Sequence, residues 1–168
     1  MTTRGEVVVG TPDEVGGPGR SAFDDVYRAE RAAVVRLAAL LVGSQAVAEE
    51  LAHDAFLRLF ERLDDVEIPP GFLRTVVVRL AVSWQRRHRT ELRVIQRVGV
   101  DRPTSIPEID ETWEVLQRLD PDRRTVLVLR YYERLRHREI AELLGCPVAT
   151  VRSRTRRALK DLKKELTR

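Results

Sequence analysis

Cysteine is almost missing from this chain. The single Cys146 allows no internal disulfide and cannot by itself build a structural zinc site. Histidine is nearly as scarce, and His53, His88 and His137 stand far apart in sequence. No apolar run approaches the roughly 18 residues that a membrane span needs, so no membrane insertion is expected. The N-terminus has no signal-peptide core either, which predicts a cytoplasmic protein. The glycines at 16–19 are not a phosphate loop, because no strand precedes them and no Lys-Ser/Thr pair follows. Carboxylates are plentiful but have no nucleophile-and-base pair beside them. The expectation is therefore a protein without catalytic residues, metal ligands, cofactor or small-molecule substrate, one that acts by recognition.

Charge is what the chain has, and it is unevenly spread. The net charge is only +4, yet 33% of the 168 residues are charged, while 43% are hydrophobic, enough to bury a core. Val148–Arg168 holds eight Lys/Arg against two Asp/Glu, and Arg86–Arg97 holds five against Glu91 alone. The remainder is net acidic. Two basic patches on an acidic background predict polyanion contacts at two places.

The stretch His137–Leu166 organises the rest. Ile140, Ala141 and Leu144 give a first helix one apolar face. Gly145 supplies a left-handed residue to end it, and Pro147 suits the first position of a following helix. Val148, Val151, Ala158, Leu162 and Leu166 then form one stripe, with Leu159 beside it. Thr150, Arg152, Ser153, Arg154, Arg156 and Arg157 cannot all point inward. The spacing is that of a helix-turn-helix, whose second helix enters the major groove and brings arginines to guanine edges and phosphates. An ordinary helical hairpin with a solvated basic face is the plainer alternative. Cys146 falls in the turn, where a half-buried structural thiol is expected.

Taken in order, residues 1–20 hold five glycines and two prolines and read as a flexible tail. Ser21 suits an N-cap with Asp24 three residues on. A helix through Phe23, Val26, Tyr27, Val34, Leu37 and Leu41 ends at Gly43. Ser44 caps a second helix, striped by Val47, Leu51, Ala55, Leu59 and Leu63, whose other faces carry Glu49, Glu50, His53 and Asp54. Between Leu41 and Phe72 there are seven Asp/Glu against two Arg, either a solvated acidic face or a docking surface for a basic partner. Pro69-Pro70 leads into a third helix. Val76-Val77-Val78 is β-branched, but Phe72, Val76, Val77, Leu80, Ala81 and Trp84 keep a helical period. That helix ends in Trp84, Arg86, Arg87, His88 and Arg89. A ring on which bases stack, beside arginines that follow phosphates, suits single-stranded DNA; Trp84 as plain core is the alternative. A linker rich in proline and glycine follows, then a short helix with Trp113, Leu116 and Leu119. Asp120-Pro121 restarts the chain as cap and first-turn proline, and Val126, Leu127, Leu129 and Tyr132 run on to the helix-turn-helix.

The fold class that results is all-α. We expect a tail at 1–20, a bundle of three or four helices at 21–92, a flexible linker at 93–109 and a helix-turn-helix module at 110–168.

In this order the motifs resemble the sigma-70 family of RNA polymerase sigma factors, specifically its extracytoplasmic-function group and the actinobacterial sigma-E-like members within it. The matching stretches are Ala48–Phe56, Phe72–Arg87 and Leu119–Arg157, the last of them containing Cys146–Arg154. The resemblance covers about 145 residues and leaves out the first twenty. It implies a transcription initiation factor whose residues 21–92 are sigma region 2 and whose residues 110–168 are sigma region 4. Glu49, Glu50, Leu51, His53 and Asp54 would then bind the β′ clamp of core RNA polymerase. Arg79, Trp84, Arg86, Arg87 and Arg89 would read and melt the −10 element of promoter DNA. Thr150, Arg152, Ser153, Arg154, Arg156 and Arg157 would read the −35 element, with region 4 touching the β flap. An anti-sigma factor is a further partner the resemblance brings in. The chain departs from the family pattern at His53 and Asp54, where glutamine and glutamate are common, and at Arg79, where asparagine is. A different reading is a stand-alone dimeric helix-turn-helix regulator with an N-terminal partner-binding bundle. A DNA-processing enzyme would need strands presenting paired acids for two metals, and no stretch reads as such a strand.

Overall fold

The computed structural model describes residues 18–91 and 111–167. The readings made above for most of the tail and for the linker lie outside the described residues. Every described element is helical.

Helix α1 spans Pro18–Val42. It begins three residues before the expected cap, so Ser21 lies inside the helix and does not cap it. Proline costs nothing in a first turn, where N–H groups have no helical partner anyway. Gly43 ends α1 at φ +79°, and Ser44 Oγ accepts from the Val47 amide at the head of α2, Gln45–Phe60. A 3-10 turn at Leu63–Asp65 leads to α3, Pro69–Arg87, which opens on its two prolines. The β-branched run Val76–Val78 is helical, as its period indicated. Buried Leu73, Val77, Val78, Ala81 and Gln85 form the inner face of α3, turned slightly from the stripe read in the sequence.

The second bundle starts with α4, Glu111–Arg118, and α5, Pro121–Leu127. Asp120 caps α5, its carboxylate accepting from the Asp122 amide at 3.0 Å. The chain then widens into one π turn, Val128–Tyr132. That turn rotates Tyr131 and Tyr132 outward, so Tyr132 is exposed instead of continuing the apolar face. Helix α6, His137–Leu144, ends on left-handed Gly145 at φ +62°. Helix α7, Val148–Leu166, starts one residue later than the sequence suggests, with Pro147 as its N-cap.

Helices α1, α2 and α3 pack on one another around Leu41, Phe56, Leu59, Leu73 and Val77. Tyr27 and Phe23 meet Phe56 and Phe60 edge-on at 4.7 and 5.1 Å. Helices α5, α6 and α7 close around Val126, Leu129, Ile140 and Val151. The two bundles are not held apart. Their buried residues join in one contiguous core, and an Arg74–Glu133 ion pair crosses between α3 and the end of the π turn.

Candidate nucleic-acid interface

The seam between the bundles is organised by an arginine. Arg124 in α5 is 2% exposed and aims its guanidinium at the C-terminal end of α1. Its Nη2 and Nε donate to the Leu41 carbonyl at 2.8 and 3.1 Å, and Nη1 donates to Gln117 Oε1 at 2.6 Å. Gln85 Nε2 donates to the same Leu41 carbonyl at 2.7 Å and also contacts Thr125 Oγ1. The last carbonyls of a helix have no intrahelical donor and carry its negative pole, so a cation there is favoured. Burial lowers the Arg124 pKa to about 10 against the opposing charge of Asp120, and the group stays protonated at neutral pH. Gly43 lies under this cluster, where a Cβ would stand 2.2 Å from Gln117 Oε1.

On α7 the apolar stripe turns inward at Val151 and Ala158, and Thr155 is buried with its hydroxyl donating to the Val151 carbonyl. Arg152, Arg156 and Arg157 are exposed. Thr150, Ser153 and Arg154 are half-buried at the margin of that face. Leu166, read as part of the stripe, is 66% exposed at the last residue of α7. Cys146 is half-buried in the turn.

The other arginine cluster sits at the end of α3. Arg79, Arg86, Arg87 and Arg89 are exposed. Trp84 is half-buried against the core, and one ring face is taken by His88, stacked at 4.5 Å and 20°. Between this end of α3 and α7 runs a cleft of about 420 Å³ lined by Val82, Arg86, Arg89, Asp122, Leu144 and Arg154, among others. Asp122 Oδ2 sits between two of these arginines, 3.1 Å from Arg89 Nη2 and 3.1 Å from Arg154 Nη2. The structure thus brings one arginine from each basic patch to a single carboxylate oxygen.

On α2, Glu49, Glu50, His53 and Asp54 are exposed. Leu51 is not, and its place in the expected docking set is corrected. At 7% exposure it belongs to the core, because its position on α2 faces inward together with Ala48, Ala52 and Ala55. The sequence reading missed Leu57 and Phe60, which are 49% and 55% exposed on the outer side of the same helix. Their signal was available: both fall outside the stripe Leu51-Ala55-Leu59.

No described helix is long and apolar enough to cross a membrane. Among the described residues no group of three or more His, Cys, Asp or Glu is placed to hold a metal.

Two family models match the chain, "Sigma-70 region 2" over residues 26–91 and "Sigma-70, region 4" over residues 109–162. The chain is 30% identical over 156 residues to the RNA polymerase sigma-E factor of Streptomyces coelicolor, a match covering 86% of this chain and 85% of that protein. It is 26% identical to the ECF RNA polymerase sigma factor SigW of Bacillus subtilis, covering 88% and 90%. Among solved structures, the fold is similar to the sigma factor RpoE in its complex with the anti-sigma factor NepR from Bartonella quintana. That likeness has a TM-score of 0.65 at 21% identity and covers 88% of this chain and 98% of that one.

Proposed function

The chain belongs to the sigma-70 family of RNA polymerase sigma factors, in its extracytoplasmic-function group, and on that premise we propose how its residues divide the work of promoter recognition. The module at 110–168 reads the −35 element through α7, with Arg152, Arg156 and Arg157 as the base- and phosphate-contacting set and Thr150, Ser153 and Arg154 at its edge. The module at 21–92 opens the −10 element, with Arg79, Arg86, Arg87 and Arg89 tracking phosphates. Trp84 offers an unpaired base its remaining edge and face. Taking a base out of the stack costs a few kcal/mol, which pocket and phosphate contacts offset.

Glu49, Glu50, His53 and Asp54 form the rim of the surface that holds the β′ clamp of core polymerase, and Leu57 and Phe60 supply its apolar centre. This anatomy, a small apolar patch ringed by charge, is that of a protein interface. Region 4 also meets the β flap. The chain performs no chemistry of its own, because polymerase supplies the phosphoryl transfer. It works where polymerase does, in the cytoplasm. An anti-sigma factor is a natural further partner, given that a structural neighbour was solved with one.

The observation that carries this reading is the division of α7, with Val151 and Ala158 fully buried and Arg152, Arg156 and Arg157 out in solvent behind a glycine turn. The test is to add the purified chain to core polymerase on genomic DNA. Specific initiation at discrete sites is expected; a palindrome-binding dimer active without polymerase would overturn it in favour of the stand-alone regulator.

A further inference from the structure

We propose that Asp122 is an internal stand-in for a DNA phosphate, occupying Arg89 and Arg154 in the closed free chain and so keeping both from DNA. The inference rests on the division of labour just given. One carboxylate oxygen accepts a hydrogen bond from Arg89 and forms an ion pair with Arg154, each at 3.1 Å, and the two arginines come from the two DNA-reading modules. Arginine pairs with carboxylate and phosphate oxygens through the same planar fork, so one anion can replace the other. The partners of Asp122 are therefore the groups that a DNA backbone would claim.

The closure itself is made elsewhere, by Arg124 and Gln85 on the Leu41 carbonyl and by the joined core. This arrangement is incompatible with reading both promoter elements at once. Elements named −10 and −35 lie about 25 base pairs apart, or about 85 Å along a duplex at 3.4 Å per pair. A compact chain of this size has a radius of gyration of about 15 Å and is about 40 Å across. The modules must part to reach both elements, and parting takes Arg89 away from Asp122, which leaves Arg154 paired only within its own module. Asp122 is 31% exposed and its partners 47% and 34%, so the pairs are weak enough to be exchanged for phosphates and to loosen with salt.

The experiment compares Asp122→Asn with Glu142→Gln, which removes the same charge from exposed α6 without touching either arginine. Binding of each free chain to a short generic duplex is read by fluorescence anisotropy at low salt. Asp122→Asn should bind about three- to tenfold tighter than Glu142→Gln, an exchange typical of freeing exposed ion pairs. Asp122→Glu, which keeps the carboxylate, should return to the parent affinity, and the scattering radius of all three should match the parent. Equal affinity for Asp122→Asn and Glu142→Gln, or failure of Asp122→Glu to restore the parent value, overturns the proposal. Initiation with core polymerase is measured on the same proteins. If the parent initiates while the two neutral variants bind DNA alike, the internal stand-in fails and the promoter reading survives. If the parent does not initiate at all, it is the promoter reading that fails.

Discussion

The Arg124 guanidinium caps α1 across 83 residues of sequence, donating twice to the Leu41 carbonyl. Replacing it with methionine keeps much of the volume but leaves Gln117 Oε1 without its donor and Leu41 with Gln85 alone. Arg124→Met should lower unfolding stability by about 1–3 kcal/mol, the range for a buried hydrogen-bonded charge whose partners are left unpaired. Urea denaturation of parent and variant measures it.

The pH dependence of that difference has a definite sign. Burial lowers the folded pKa of Arg124 to about 10, so between that value and its higher ordinary one the unfolded chain binds more protons. The contribution of this group to stability is therefore constant below the folded pKa and rises with pH above it. The stability gap between parent and Arg124→Met should stay flat from about pH 6 to about pH 9. A gap that changes across this window would place another titrating group in the cluster.

Two left-handed glycines separate backbone cost from packing cost. At Gly145 a Cβ meets nothing within 4 Å, so Gly145→Ala should cost only the ~1–2 kcal/mol of a left-handed alanine. At Gly43 the same change also drives a Cβ into Gln117, the partner of Arg124. Gly43→Ala should therefore be the more damaging in thermal unfolding, and it should expand the chain in small-angle scattering where Gly145→Ala does not.

On the outer side of α2, Glu50→Lys and Leu57→Ala should weaken core-polymerase binding by tenfold or more in a competition assay. Neither side chain is buried, so unfolding midpoints should move by less than about 0.5 kcal/mol. Leu51→Ala should do the opposite, destabilising the bundle by about 2–4 kcal/mol as a core truncation.

On α7, Arg152→Ala and Arg156→Ala should each cost about 1–3 kcal/mol of −35 discrimination per lost bidentate contact, read as promoter against scrambled DNA in the presence of polymerase. Arg154→Ala should lose less discrimination in the same assay, because Asp122 of the same module competes with DNA for its guanidinium.

The amino-acid sequence by itself determined the helices, their caps at Ser44 and Asp120, the stops at Gly43 and Gly145, and the basic outer face of α7. Each of these is set within one or two turns of chain, by periodicity, by a side-chain oxygen near a bare amide, or by freedom at positive φ. Local periodicity also puts Leu51 in the inward stripe of α2; it is the family resemblance that adds it to the docking set, and Leu57 and Phe60, outside that stripe, go unassigned. The joining of the two bundles was decided by the tertiary structure alone. Arg124 is one arginine among many until the bare carbonyl of Leu41 comes within its reach, and Asp122 is an ordinary first-turn carboxylate until Arg89 and Arg154 converge on it. Long-range pairing of this kind leaves no period and no spacing to read, because a helix end accepts a donor from anywhere in the chain.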